Sequence, residues 1–273
     1  MITFPNAKIN LGLHVTEKRP DGFHNLETVF FPVSWCDALE FVIAEKFQFT
    51  ATGIQISGDP EVNIVVRAYR LLQKDFDLPA IKIHLHKQIP FGAGLGGGSS
   101  DAAFMLRMLN KTFNLGLSEE TLLNYAVGLG SDCPFFILNK PVYATGRGEI
   151  MQETDVCLND MFILLVKPQV EVSTAKAFQF VVPQKSSVSL PELLRLPVQE
   201  WKDKVVNQFE PSVFQQYPEL GAIREKLYDL GAVYASMSGS GSCVYGLFNE
   251  LPDDYTSLFP APFLTFSQKI EIH

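Results

Sequence analysis

At 273 residues the chain is long enough for one large domain or two modest ones, at roughly 150 residues per domain. Its 47% hydrophobic, 12% aromatic and 19% charged residues, with a mean hydropathy of +0.10, can bury a core that offsets the ordering entropy, which excludes disorder for the bulk of the chain. A formal charge of −8 repels nucleic acid and anionic membranes, and no local basic patch overrides it.

The first ten residues, MITFPNAKIN, lack the basic and apolar regions of a secretory signal, and no apolar run reaches the ~18 residues of a bilayer crossing. The expectation is a soluble, cytoplasmic protein that binds neither nucleic acid nor membrane, with its oligomeric state left open. Cys36, Cys133, Cys157 and Cys243 lie far apart without a CxxC pair, as reduced thiols in ordinary packing do.

In chain order, segments 27–33 and 38–43 read as strands, and 81–86 (IKIHLH) alternates between apolar and polar residues. His84 and His86 share a face of that strand; without a third ligand they read as part of a solvated sheet face. Helices fit 64–76 behind an Asn63 cap, 99–113 behind Ser99 and 119–129 behind Ser118, where Glu119 and Glu120 favour the positive end of the helix dipole. A polar stretch at 152–160 precedes the apolar run 162–166, and a Pro/Ser-rich piece follows at 183–191. These place a boundary near residue 155, with an ATP-binding and catalytic domain over 1–155 and a substrate-side domain over 156–273. Beyond the boundary come helices around 203–216 and 219–230, the second closed by Gly231. Strands near 232–237 and 242–248 flank Ser238-Gly239-Ser240-Gly241, and an alternating strand at 263–272 completes a mixed α+β pattern.

The densest chemical signal is Pro90-Phe91-Gly92-Ala93-Gly94-Leu95-Gly96-Gly97-Gly98-Ser99-Ser100, followed by Asp101-Ala102-Ala103. Glycines between a strand and a helix let backbone N–H groups converge, and the helix N-terminus adds partial positive charge, so the loop suits phosphate. Gly92-x-Gly94-x-x-Gly97 also fits the dinucleotide fingerprint, but the region about 20 residues on is helical rather than a strand ending in an acid. The Walker Gly-Lys pair and the protein-kinase HRD and DFG triplets are absent.

The loop resembles the second motif of the GHMP kinases, which phosphorylate small molecules. Its GGGSSDAA ending resembles the 4-diphosphocytidyl-2-C-methyl-D-erythritol kinase branch in particular. Asn6-Ala7-Lys8-Ile9-Asn10-Leu11 with Arg19-Pro20-Asp21-Gly22-Phe23-His24 is similar to the first motif, and Met237-Ser238-Gly239-Ser240-Gly241-Ser242 to the third. The resemblance runs from residue 4 to about 248, in family order.

It implies a two-domain α+β GHMP kinase fold. The N-terminal mixed α/β domain would resemble ribosomal protein S5 domain 2, the C-terminal domain would be ferredoxin-like, and the active site would lie in the cleft between them. It implies ATP and Mg²⁺, a cytidine-diphosphate alcohol as substrate, and phosphorylation of that alcohol's 2-hydroxyl in non-mevalonate isoprenoid synthesis. Asp132, in Gly130-Ser131-Asp132-Cys133-Pro134, would be the base and Lys8 its charge partner. Residues 90–100 would hold the nucleotide. Phe23, His24 and Phe178 would hold cytosine, with Asn10, Ser238 and Gly239 also on the substrate. Ser100 is a Mg²⁺ ligand by analogy, without an identifiable acidic companion, so the metal site stays open. A homoserine- or mevalonate-type kinase and a non-catalytic nucleotide binder remain alternatives; a nicotinamide oxidoreductase would rest on the glycine fingerprint alone.

Overall fold

The computed structural model describes residues 1–271 apart from 57 and 187, so the last position of the expected strand 263–272 and one residue of the 183–191 piece lie outside the described residues. In chain order the strands and helices are β1 (Ile2–Thr3), β2 (Asn6–Lys18), β3 (His24–Cys36), β4 (Ala38–Ile43), β5 (Gln48–Gly53), α1 (Ile64–Asp75), β6 (Ile81–Lys87), α2 (Gly97–Thr112), α3 (Glu119–Val127), α4 (Cys133–Leu138), β7 (Val142–Thr145) and β8 (Ile150–Glu153). Then follow β9 (Phe162–Lys167), α5 (Thr174–Phe180), α6 (Leu190–Leu193), α7 (Glu210–Gln216), α8 (Pro218–Asp229), β10 (Tyr234–Met237), β11 (Val244–Phe248), α9 (Tyr255–Leu258) and β12 (Leu264–Lys269).

The chain divides into two compact units, each discontinuous in sequence. One comprises residues 1–8, 34–91 and 96–140; the other comprises 9–33, 92–95 and 141–273. This division differs from a single cut near residue 155, because β2 and β3 each run from one unit into the other.

The first unit holds a sheet of order β1-β4-β6-β5, in which β4 runs antiparallel and β5 parallel to β6. The alternation read in 81–86 has a physical outcome: Ile81, Ile83 and Leu85 are buried, and Lys87 continues their parity into the interior. Helix α1 begins where expected, its Asn63 Oδ1 accepting the Val65 N–H at 2.9 Å, and it buries Val65, Val66, Tyr69 and Leu72. Each such side chain contributes about 1.5–3 kcal/mol to the core. Ser118 caps α3 through the Thr121 N–H at 3.2 Å. Helix α2 starts two residues before the expected 99, because Gly96 occupies the N-cap in the left-handed region (φ 69°) and Ser99 does not cap.

The second unit contains a sheet of order β10-β11-β9-β12, wholly antiparallel, and the strands of a second sheet of order β2-β3-β7-β8. Strands β9 and β11 are buried along almost their whole length. Leu164, Val166, Val213, Leu220, Ile223, Leu227 and Val244 belong to one core between sheet and helices. The helix expected over 203–216 is confined to Glu210–Gln216, the residues before it being held in turns such as Val205 N–H to the Trp201 carbonyl. Among the described residues no helix is long and apolar enough to cross a membrane, the four cysteines are free thiols, and no group of three His, Cys, Asp or Glu side chains is placed to hold a metal ion. His84 and His86 both hydrogen-bond Thr52 Oγ1 instead.

Candidate active site

Lys8 lies near the start of β2 and Asp132 directly before α4, far apart in sequence, yet Lys8 Nζ stands 3.7 Å from Asp132 Oδ2. Pro134 sits in the first turn of α4, and Asp132 occupies the N-cap position without making a side-chain capping bond. Its carboxylate is therefore available to Lys8. The lysine is 4% exposed and the carboxylate about one-third exposed, so one member of the pair faces water and the other does not.

At 3.7 Å and an effective dielectric near 20 the attraction is about 4 kcal/mol, before screening at the carboxylate and desolvation of the lysine are subtracted. Burial pushes the Lys8 ammonium below its ordinary 10.5, and the charge and hydrogen bond of Asp132 oppose that shift.

The sign of this shift makes a stability prediction. Between its lowered folded value and 10.5, Lys8 binds fewer protons folded than unfolded, so stability rises with pH across that window and the buried charge costs stability at neutral pH. Lys8→Met is expected to leave the melting temperature unchanged or raise it by roughly 2–4 °C, the shift that ~1 kcal/mol produces in domains of 150–250 residues, while turnover collapses. Calorimetry of both proteins at neutral pH, beside an activity assay, checks this; a large drop in melting temperature would contradict it.

This pair adjoins the glycine loop. An ideal Cβ at Gly96 would lie 3.2 Å from Lys8 Cγ and 2.9 Å from the Phe136 ring, so the loop reaches α2 pressed against the lysine stem and α4. Gly96 as N-cap has no side chain to bond the first-turn N–H groups of α2, the arrangement by which a helix start can receive an anion. Ser100 Oγ in that turn is buried and has no hydrogen-bond partner among the described residues. A buried hydroxyl left over in this way is an oxygen donor of the kind that hard cations take.

The middle of the loop, residues 92–95, is held by the hairpin that follows β10. Ser238 Oγ donates to the Gly94 carbonyl at 2.8 Å, Ser242 N–H to Gly92 and Cys243 N–H to Ala93. Ser238 N–H in turn bonds the Cys243 carbonyl. These donors are spent on the loop's carbonyls, so the hairpin acts as a brace for the glycine loop. Asn10 is fixed beside it: its N–H donates to Ser238 Oγ at 3.3 Å, its Nδ2 to Thr28 Oγ1 at 2.9 Å, and its carbonyl accepts from the Tyr245 hydroxyl. A Cβ at Gly239 would stand 3.3 Å from Asn10 Oδ1.

Of the three expected base-binding side chains, the structure brings two together. His24 stacks on Phe178 with ring centroids 4.9 Å apart and planes 20° from parallel, and Phe178 meets Phe209 edge-on. Phe23 is 54% exposed and carries the Arg147 guanidinium 5.0 Å from its ring centre. Burial, then the charge of Lys18, lowers the His24 pKa below 6.5, so at neutral pH the ring keeps one donor and one acceptor nitrogen. Sequence reasoning assigned Arg147 no role beyond a turn; its signal was the Gly146-Arg147-Gly148 spacing, which marks a tight loop but not which ring it meets.

The model of the GHMP kinases N terminal domain matches residues 63–140, and that of the GHMP kinases C terminal domain matches 189–255. A 4-diphosphocytidyl-2-C-methyl-D-erythritol kinase of Bacteroides thetaiotaomicron is 57% identical over 91% of this chain and 92% of its own. One of Parabacteroides distasonis is 51% identical over 97% and 98%. Among solved structures, a 4-(cytidine 5'-diphospho)-2C-methyl-D-erythritol kinase superposes with a TM-score of 0.82 at 31% identity, covering 98% of each chain. A mevalonate kinase of Methanococcus jannaschii gives 0.72 at 12% identity, a likeness of fold. With half or more of the sequence shared across nearly the full length, the chain belongs to the 4-diphosphocytidyl-2-C-methyl-D-erythritol kinase family of the GHMP kinases.

Proposed function

We propose that this chain transfers the γ-phosphoryl group of ATP to the 2-hydroxyl of 4-diphosphocytidyl-2-C-methyl-D-erythritol, in the cytoplasm, as a step of non-mevalonate isoprenoid synthesis. The observation that carries the chemistry is the Lys8–Asp132 pair, 3.7 Å apart and packed against Gly96 where the glycine loop becomes a helix.

Phosphoryl transfer passes through a loose transition state in most analyses, so positioning and charge neutralisation outweigh covalent help. Asp132 orients the acceptor hydroxyl and takes its proton late, as the oxygen bonds to phosphorus; a carboxylate is too weak a base to ionise an alcohol beforehand. Lys8 orients that carboxylate and stabilises negative charge on the reacting oxygen. The N–H groups along residues 90–100 and the first turn of α2 cradle the triphosphate. Mg²⁺, when bound, would be held by the Ser100 hydroxyl among its ligands and would neutralise phosphate charge.

In this reading Phe23, His24 and Phe178 hold cytosine, with His24, stacked on Phe178, reading the base edge as a neutral imidazole. Asn10, Ser238 and Gly239 line the acceptor side. In this reading residues 1–155 carry nucleotide binding and catalysis, while 156–273 form the substrate-side domain. ADP release measured with MgATP against three alcohols tests the specificity: turnover is expected with the cytidyl alcohol and not with homoserine or mevalonate. Turnover with either of those and none with the cytidyl alcohol would move the chain to another GHMP branch.

A further inference from the structure

Behind the glycine loop lies a group of charges that the chemistry above leaves unused. Lys87, the last residue of β6, is 1% exposed, and its ammonium donates to Asp37 Oδ2 and, at 2.8 Å, to Asp101 Oδ2. Asp37 sits between β3 and β4, and its second oxygen accepts the N–H groups of Gln88 at 2.5 Å and Ile89 at 2.8 Å. Asp101 belongs to α2, one residue beyond Ser100.

Buried ion clusters are seldom retained for stability, since desolvating their charges costs about as much as their attraction returns. Here two carboxylates share one ammonium, which leaves a surplus negative charge, and among the described residues Asp101 Oδ1 has no hydrogen-bond partner. An arrangement this costly needs another reason to exist, and its position supplies one.

Lys87 and the backbone of 88–89 are the entry to the loop, and Asp101 is its exit. A Cβ at Gly97 would stand 2.9 Å from Lys87 Nζ and 2.8 Å from Ile89 Cγ2, so the lysine head is wedged against the first turn of α2. Phe91, within the loop, lies with its ring centre 5.4 Å from the same ammonium.

We infer that Asp37, Lys87 and Asp101 are positioning residues that pin both feet of the glycine loop, fixing the spacing of the N–H groups that receive the triphosphate. The inference rests on the ATP-cradle reading of that loop. Its consequence is selective: breaking the tie weakens nucleotide binding and leaves the alcohol site and the Lys8–Asp132 chemistry largely intact.

The test is a set of Asp101 variants. Asp101→Asn keeps an acceptor for Lys87 and removes the surplus charge, whereas Asp101→Ala removes the acceptor and Asp101→Ser places its oxygen too far back to reach. Equilibrium binding of ATP and of the cytidyl alcohol, and kcat at saturating ATP, are measured on folded protein. ATP is expected to bind about tenfold more weakly to the Ala and Ser variants, with alcohol affinity and kcat within about threefold, and Asn restoring ATP affinity to within about twofold of the parent. The inference is overturned if a folded Ala or Ser variant binds ATP like the parent, if Asn weakens ATP as much as Ala, or if Ala and Ser both fail to fold, which would mark Asp101 as a folding residue only. Absence of ATP binding by the parent itself would instead overturn the cradle reading.

Discussion

Asp132→Asn is expected to lower kcat by about a thousandfold while the affinity for ATP stays within about twofold. The substitution is nearly isosteric, and Asp132 makes no capping bond whose loss would disturb α4, so the effect falls on chemistry. In the proposed mechanism an amide neither accepts the hydroxyl proton nor holds Lys8 charged, and both functions are assigned to the one carboxylate 3.7 Å from that ammonium. Because Asp132 was the partner that opposed the burial-driven fall in the Lys8 pKa, the variant also carries a lysine that loses its proton more readily. Single-turnover kinetics with nucleotide prebound separates the two steps. Turnover near the parent value would remove Asp132 from the role of base, and loss of ATP binding would recast it as a nucleotide ligand.

Gly94→Ala is expected to be the most damaging substitution of one small residue in the loop. Gly94 has φ 73°, and an alanine Cβ there would lie 1.9 Å from the Ser238 carbonyl oxygen. The left-handed backbone costs about 1–2 kcal/mol and displacement of the hairpin a further ~1–3 kcal/mol. The Ser238 Oγ to Gly94 carbonyl bond, worth about 1 kcal/mol, is lost with that displacement. A total near 4 kcal/mol corresponds to a fall of roughly 10 °C in melting temperature. Gly92 provides the comparison, since its φ is 57° but a Cβ there meets nothing within 4 Å, so Gly92→Ala incurs about 1–2 kcal/mol from the backbone alone. Thermal melts of the two variants side by side measure the difference; equal destabilisation would show that the close approach of hairpin and loop carries no weight.

The parts of the fold that could be read in advance are those where local chemistry decides the outcome. Asn63 and Ser118 cap the helices that follow them because a short polar side chain there satisfies an N–H that the helix cannot. The alternation of 81–86 was legible because one face of β6 is buried and the other is partly open. Strand β2 alternates as well, Ala7, Ile9, Leu11, Leu13 and Val15 with Lys8, Asn10, Gly12 and His14, but it is buried without a break from Ala7 to Val15, so its polar face is an interior one, which alternation alone does not reveal.

The motifs of the candidate site stand out in the sequence, whereas its supports do not. Residue type marks Lys87 as a surface charge ending a strand, although the parity of Ile81, Ile83 and Leu85, extended by two, points it inward. Asp37 is hidden more deeply, since it occupies a junction between strands and its partners lie about fifty residues away. The discontinuous units have the same origin. β2 and β3 cross from one to the other, and no shift in composition along a chain reveals a strand that serves two bodies.

The central claim, a phosphoryl transfer carried out beside the glycine cradle, is tested most directly by ³¹P NMR of the protein incubated with MgATP and 4-diphosphocytidyl-2-C-methyl-D-erythritol. The account predicts a new phosphomonoester resonance growing in step with ADP, and the same mixture with Asp132→Asn staying silent on that timescale. Folded protein that binds ATP yet yields no phosphomonoester signal with this alcohol would contradict it.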